Sequence, residues 1–354
     1  MDLYDYIKNI SSPDYTLKEE AQKHLDNLTK PKDSLGRLEE FARQIVCIQG
    51  RLKPEIEKKV IFTLAGDHGV TEEGVSAYPK EVTAQMVYNF LRGGAGVNVL
   101  SRFAGASVIV VDMGVDAVFE ENEDLLIKKV GRGTKNFVKE PAMTKEQAEK
   151  SIINGIEVFE TVFYKKGFDI CGVGDMGIGN TTPSTAVISV ITKIEPSEIT
   201  GRGTGINDNV LNKKIEVIKK GIALHKPDSS SAIDVLSKVG GFEIGGIAGI
   251  VLASAKHRIP CVVDGLIATA GTLLGYNLNP EVKDYIFASH RSTEIAQSEA
   301  LEFMGLEPVL DLNLRLGEGT GSCLAMMMIE AGVRIYNEMA TFEQASVSKS
   351  AGSI

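Results

Sequence analysis

The sequence predicts an α/β fold built on a buried, mostly parallel sheet with flanking helices. Three observations predict it. Short apolar, β-rich runs recur along the chain, each ending in a polar residue beside glycine or in a short polar cluster. Segments able to hold helices separate most of them. The 354 residues, 43% of them apolar, suffice for a sizeable core in one or two domains.

Residues 1–58 read as helical. Thr16 opens TLKEEAQKHLDNL, in which Leu17, Ala21 and Leu25 share one face. After a turn at Lys30–Asp33, Leu35, Leu38, Phe41, Ile45 and Ile48 form an apolar stripe that stops at Gly50. Strand runs follow at Val60–Ala65, Ser107–Val111, Phe168–Val173, Ile259–Val263, Tyr285–Ala288 and Val309–Leu316. Helices are expected at Glu81–Phe90, Lys145–Phe163, Asp208–Leu224 and Glu294–Phe303. GIAGIVLASA reads as a small-residue helix suited to tight packing, and GSCLAMMMIEAGVRIYNEMATF as a long buried one. The tail EQASVSKSAGSI reads as frayed.

The net charge of −9 argues against nucleic acid or an anionic membrane as partner. Cys47, Cys171, Cys261 and Cys323 are scattered, which reads as a reducing cytoplasm without zinc or disulfides. MDLYDYIKNI lacks a signal-peptide core, and the apolar run Ile244–Ala255 is too short to span a bilayer.

In an open parallel sheet, ligands bind beyond the carboxyl ends of the strands. Those ends offer Asp67, His68, Asp112, Asp175, Asp264, Ser289, His290 and Glu318, any of which also suits a turn or cap. The stretch Cys171–Ala186, CGVGDMGIGNTTPSTA, runs from a strand through glycines into a helix, with Thr181 and Thr182 as candidate N-caps and Pro183 in the first turn. Such a turn exposes backbone N–H groups to an anion, although a tight turn without a ligand has the same pattern. Gly172–Gly177 also matches GxGxxG, with Glu195 at a tolerable distance for a ribose acid, so a dinucleotide reading stands beside it. Gly201-Arg202-Gly203-Thr204-Gly205 and the nearby Lys213 and Lys214 offer positive charge. Glu318, between Gly317 and Gly319, is a candidate general base or an exposed turn residue. The sequence has no Walker A motif, nucleophile elbow, zinc-spaced histidine pair or DxD pair, so no metal or cofactor is expected.

The motifs in order are LTKPKDSLGRLE, AGDHGVTEEGVSAYPKEVTAQMV, GGAGVNVL, GTKNFVKEPAMT, GVGDMGIGNTTPSTA, GRGTGIND, VGGFEIGGIAG, VDGLIATAG, SHRSTE and LDLNLRLGEGTGS. Nearly end to end, they resemble the nicotinate-nucleotide–dimethylbenzimidazole phosphoribosyltransferase family. That resemblance implies a Rossmann-like α/β domain over 59–322 and a small helical domain from both chain ends, 1–58 and 323–354. It also implies a cytoplasmic homodimer acting on small molecules. The reaction would be transfer of phosphoribose from nicotinate mononucleotide to a benzimidazole nitrogen, with inversion from β to α. The family's base maps onto Glu318 of LGEGTG, and its GEMGIGNTT acid onto Asp175, one carbon shorter here. The resemblance places the aromatic base near Ser76, Tyr78, Gln85 and Met86. Phosphate and ribose are assigned to Gly174, Met176, Gly177, Ile178, Gly179, Asn180, Arg202, Gly203, Thr204, Gly205, Lys213, Ser289 and Ser292.

Overall fold

The computed structural model describes residues 1–203 and 205–348. The chain opens with helices α1 (Leu3–Lys8), α2 (Lys18–Asp26) and α3 (Arg37–Gln49), then enters strand β1 (Lys59–Gly66). Helices α4 (Val82–Leu91) and α5 (Gly96–Ala104) lead to β2 (Ala106–Gly114) and the short β3 (Leu125–Ile127). Helix α6 (Lys145–Lys166) precedes β4 (Ile170–Met176). Five helices follow: α7 (Thr181–Thr192), α8 (Pro196–Ile199), α9 (Asp208–His225), α10 (Ala232–Val239) and α11 (Phe242–Lys256). Strand β5 (Cys261–Val263), α12 (Leu266–Leu278) and β6 (Ile286–Ala288) complete the sheet, and α13 (Ile295–Met304) and α14 (Thr320–Glu338) follow.

All six strands are parallel, in the order β3-β2-β1-β4-β5-β6. The chain therefore reverses its direction of travel between β1 and β4, and a crevice opens at the carboxyl ends beside that switch point. Strand β1, KVIFTLAG, is buried along nearly its whole length, as a central strand covered on both faces must be. Phe62 is fully buried and its ring lies 5.9 Å from Phe168 in an edge-to-face pair; burying such a side chain is worth roughly 1.5–3 kcal/mol.

The helices stop and start where the local chemistry demands. Thr144 and Gln147 form a reciprocal capping box at α6. Gly50 ends α3 in the left-handed region, φ 65°. The small residues of α11 serve a helix–helix contact with α6: a Cβ on Gly155 would collide with the Gly246 carbonyl.

Both chain ends meet in a second apolar cluster of Ala21, Leu25, Leu28, Ala42, Val46 and Tyr336. The Thr29 amide donates to the Ala340 carbonyl at 3.0 Å. Helix α3 has two faces, because Phe41, Ile45 and Ile48 belong to the main core. Helix α14 likewise runs through position 322, with Met326 in the main core and Tyr336 in the smaller cluster.

Two sequence expectations change. Val309–Leu316 is not a strand; it is an extended strap tied to the end of β6 by Val309 N to Ala288 O, 2.8 Å, and Leu310 N to Ser289 O, 3.0 Å. Asn313 in its middle is left-handed, φ 56°, which breaks a strand. The pairing of β3 with β2 was not expected from its three residues, Leu125–Ile127. The described part of the tail is folded back, with the Val347 amide donating to the Phe342 carbonyl at 3.0 Å. Thr204 and residues 349–354 lie outside the described residues. No described helix is long and apolar enough to cross a membrane.

Candidate active site

A cavity of about 690 Å³ opens at the carboxyl ends of β4, β5 and β6, roofed by the strap Asn313–Gly317. Its size suits a mononucleotide with a second planar ring. Glu318 lies on its wall. The Glu318 backbone is left-handed, φ 66°, between Gly317 at 83° and Gly319 at 101°. That conformation is strained for a residue with a Cβ, and the flanking glycines make the turn reachable. Gly174 lets the loop lie directly on β4, since a Cβ there would collide with the backbone of Glu318 and Gly319. The Glu318 Oε2 accepts a hydrogen bond from the Val97 amide at 3.0 Å, at the N-terminus of α5. Burial raises its pKa, and the amides of Val97 and Gly96 pull partly against that.

Asp175 ends β4 and also lines the cavity. Its Oδ2 accepts from Asn180 Nδ2 at 2.9 Å, while Oδ1 is buried without a partner. Burial first, and then the nearby Asp264, raise its pKa well above the ordinary carboxylate range, with Glu243 and Glu318 adding to the rise. Asp175 is therefore held toward its protonated form more strongly than an exposed aspartate. His290 presents a buried, unpartnered Nε2 on the same wall, and its Nδ1 meets Ser289 Oγ at 2.8 Å. Burial lowers the His290 pKa to about 4, so the ring is neutral.

At the other end of the cavity, Asn180 and Thr181 bring the N-terminus of α7 to the wall. The fully buried Lys214 stands behind them, its Nζ donating to Thr181 Oγ1 at 2.8 Å and the Gly201 carbonyl at 3.2 Å. Burial lowers its pKa to about 8, so it stays mostly charged near neutrality. Arg315 of the strap lines the cavity and reaches the Gly203 carbonyl at 3.4 Å. Gly203 and Ser292 complete this end, and Glu294 Oε1 accepts from the Gly203 amide at 2.8 Å. A helix N-terminus with two cations is suited to phosphate.

Tyr78, Val82, Met86, Met176 and Ile178 make an apolar mouth near Glu318. Ser76 is half-buried and off the cavity wall; its Oγ accepts from the Tyr78 amide at 3.3 Å. Gln85 is exposed on the outer face of α4.

The cavity gathers only part of the expected set. Gly177, Ile178, Asn180, Gly203, Ser292, Met176, Tyr78, Met86, Asp175 and Glu318 come together. Arg202 turns away, paired with Asp208 and donating to the Ile206 carbonyl at 3.0 Å. Lys213 is exposed, because one position along a helix is a rotation of about 100°. Ser289 is buried behind His290, and Gly174, Gly179 and Gly205 lie off the wall. The sequence did not mark Arg315, Leu266 or Val82, named Lys214 only as nearby charge, and offered His290 among the strand-end groups. A cation in a motif strap and a second lysine beside Lys213 were the available signals.

Other strand-end groups hold the fold. Asp67 Oδ2 accepts from the Asp116 amide at 2.8 Å, and Asp112 from those of Gly114 and Val115 at 3.1 and 2.8 Å. His68 and Glu243 form a fully buried pair at 2.6 Å. Burial alone would lower the His68 pKa, but the Glu243 carboxylate outweighs it and leaves it raised. The N-cap of α7 is Asn180, in place of Thr181 or Thr182. The dinucleotide reading fails on geometry. Gly172 packs under Ser322 and Met326, Gly174 lies under Glu318, and Glu195 is an exposed residue ahead of α8.

A phosphoribosyltransferase family model matches residues 10–347. The nicotinate-nucleotide–dimethylbenzimidazole phosphoribosyltransferase of Geobacter sulfurreducens is 54% identical over 347 residues, 98% of each chain. That of Geotalea uraniireducens is 56% identical over 347 residues, again 98% of each. The crystal structure of the Thermus thermophilus enzyme of the same name superimposes with a TM-score of 0.90 at 41% identity, covering 95% of this chain and all of that one. With the sheet order, the glycine-flanked Glu318 and the full-length similarity in agreement, the chain belongs to the nicotinate-nucleotide–dimethylbenzimidazole phosphoribosyltransferase family.

Proposed function

We propose that this chain transfers the 5-phosphoribosyl group of nicotinate mononucleotide to a nitrogen of 5,6-dimethylbenzimidazole or a related lower-ligand base. The products are nicotinate and the α-riboside 5′-phosphate used in the nucleotide loop of cobalamin. The observation that carries this reading is Glu318: it lies on the wall of a cavity with an apolar mouth, with Oε2 held by the Val97 amide at the α5 N-terminus.

The chemistry follows from that arrangement. Nicotinate is joined to C1′ as a pyridinium, so it leaves with the bonding electron pair and needs no proton. The azole lone pair forms the new bond to C1′ from the opposite face, which inverts the anomeric carbon. The azole N–H proton passes to Glu318, whose raised pKa makes it a stronger base than an exposed glutamate. Tyr78, Val82 and Met86 flank the acceptor base, while Arg315, Ser292 and the α7 N-terminus, backed by the charge of Lys214 behind Thr181, hold phosphate and ribose. Asp175, held by Asn180, meets the sugar. Fixing two planar rings across one sugar supplies much of the rate.

The protein acts in this reading as a cytoplasmic homodimer. The exposed Val99 and Phe103, one turn apart on α5, give a second copy an apolar face to cover. The chain divides into a catalytic unit, 59–322, and a helical unit from 1–58 and 323–354, the latter built on the cluster around Leu25 and Tyr336. Incubation with nicotinate mononucleotide and a panel of benzimidazoles, purines and phenols, read by mass spectrometry, tests the reaction. An α-riboside phosphate is expected, and no product with any base overturns the reading. Light scattering tests the dimer.

A further inference from the structure

We infer that Asp264, together with Thr63, positions Glu318 for proton transfer, acting through the backbone of the Gly317–Ser322 turn without touching substrate. The inference rests on the reading of Glu318 as the base.

Both residues are anomalies where they stand. Thr63 is a fully buried polar residue in the apolar strand β1, and its Oγ1 donates to the Glu318 carbonyl at 2.8 Å. Asp264 is a fully buried carboxylate just beyond β5. Its Oδ2 accepts from the Gly319 amide at 2.8 Å, and its Oδ1 from the amides of Gly321 at 2.8 Å and Ser322 at 3.3 Å. The N-cap residue of α14 is Gly319, which has no side chain to cap with. A carboxylate from 55 residues away in sequence takes that place.

The consequence falls on Glu318. Its left-handed backbone is fixed on the carbonyl side by Thr63 and at the next amide by Asp264. Ser322 Oγ pins the start of α14 to the Val262 carbonyl at 2.9 Å. Neither Thr63 nor Asp264 lines the cavity. Both oxygens of Asp264 are needed as acceptors, so an amide in its place turns an N–H toward a backbone N–H. Glu318 then loses its fixed angle.

The test is steady-state kinetics on the full chain with Asp264→Asn, Thr63→Val, Thr63→Ser and Glu318→Gln, singly and combined with Glu318→Gln. Asp264→Asn is expected to lower kcat about 100-fold, as a misplacement of about 1 Å does, with KM for nicotinate mononucleotide within about 3-fold. Thr63→Val lowers kcat about 10-fold by the same misalignment, and Thr63→Ser, which keeps the donor, restores it. In the Glu318→Gln background neither substitution lowers kcat further. A nitro-substituted benzimidazole, whose N–H is more acidic, shrinks the losses of Asp264→Asn and Glu318→Gln in parallel. Wild-type kcat in Asp264→Asn, a rise in KM alone, or losses that multiply in the double variant each overturn the inference. Wild-type kcat in Glu318→Gln overturns the base reading itself. If Asp264→Asn does not accumulate as folded protein, Thr63→Val decides: a loss that vanishes in the Glu318→Gln background supports the pair, and an unchanged kcat overturns it.

Discussion

Glu318 Oε2 and the backbone nitrogen of Val97 are 3.0 Å apart, so the proposed base is also the ligand of a helix N-terminus. The helix fixes one oxygen and favours its charge, while burial disfavours it. Burial is the larger effect. The group must be ionised to accept a proton, so kcat/KM should climb with pH through a point above the ordinary glutamate value of 4.5. Glu318→Gln should lower kcat about 10²–10⁴-fold and remove that acid limb. A pH–rate profile checks both, and a limb that survives in the variant belongs to another group.

Asp175 gives a prediction about stability. Its folded pKa lies well above the unfolded value of 3.8 because burial and nearby carboxylates disfavour its charge. The folded state therefore holds a proton that the unfolded chain releases. The associated stability is complete below the unfolded pKa and is lost as pH rises through the folded one. Asp175→Asn lacks that loss. Its melting temperature relative to wild type should rise as pH increases above the unfolded value of 3.8 and level off once pH passes the folded one. Thermal melts across that range check it, and a constant difference would show that Asp175 is already charged in the fold.

Lys213 and Lys214 separate cleanly. Lys214 places its charge behind Thr181, whereas Lys213 faces solvent. Lys214→Met should raise KM for nicotinate mononucleotide about 10–100-fold, the worth of a charged hydrogen bond. Lys213→Met should stay within about 2-fold, as surface substitutions do. Equal effects of the two would remove Lys214 from the phosphate end.

Gly174 is required by close approach. A methyl group there meets backbone, which has no rotamer to give way. Gly174→Ala should destabilise the protein by about 1–3 kcal/mol, in the range of core overpacking. It should also lower kcat in the protein that remains folded, because the atoms displaced are those of Glu318. Denaturant melts and kinetics on the same sample test both effects.

Much of the architecture was legible because most strand runs are apolar on both faces and end at a polar residue near glycine or in a short polar cluster. The sheet order was not, because which strands neighbour one another is decided by tertiary packing. The run Val309–Leu316 looked like a strand by composition, yet its pairing with the end of β6 stops short of the left-handed Asn313. The site divided in the same way. Glu318 and Asp175 stand in glycine-rich motifs that announce them. Arg315 and Lys214 could not be told from Arg202 and Lys213, because charge shows in a sequence but the direction in which a side chain points does not. The partner of Glu318 is the Val97 amide, and a backbone donor leaves no mark on residue identity.

Helix α14 gives the molecule a mechanical link. Its 19 residues form a rod about 28 Å long, begun by the turn that carries Glu318 and ended near Tyr336 in the cluster where the chain termini meet. Gly332 lies so close to the Leu38 carbonyl on α3 that no side chain could be inserted between the two helices there. The terminal bundle and the turn that carries Glu318 are thus joined by one continuous helix. The position of the Glu318 turn is thereby referred to the packing of both ends of the chain.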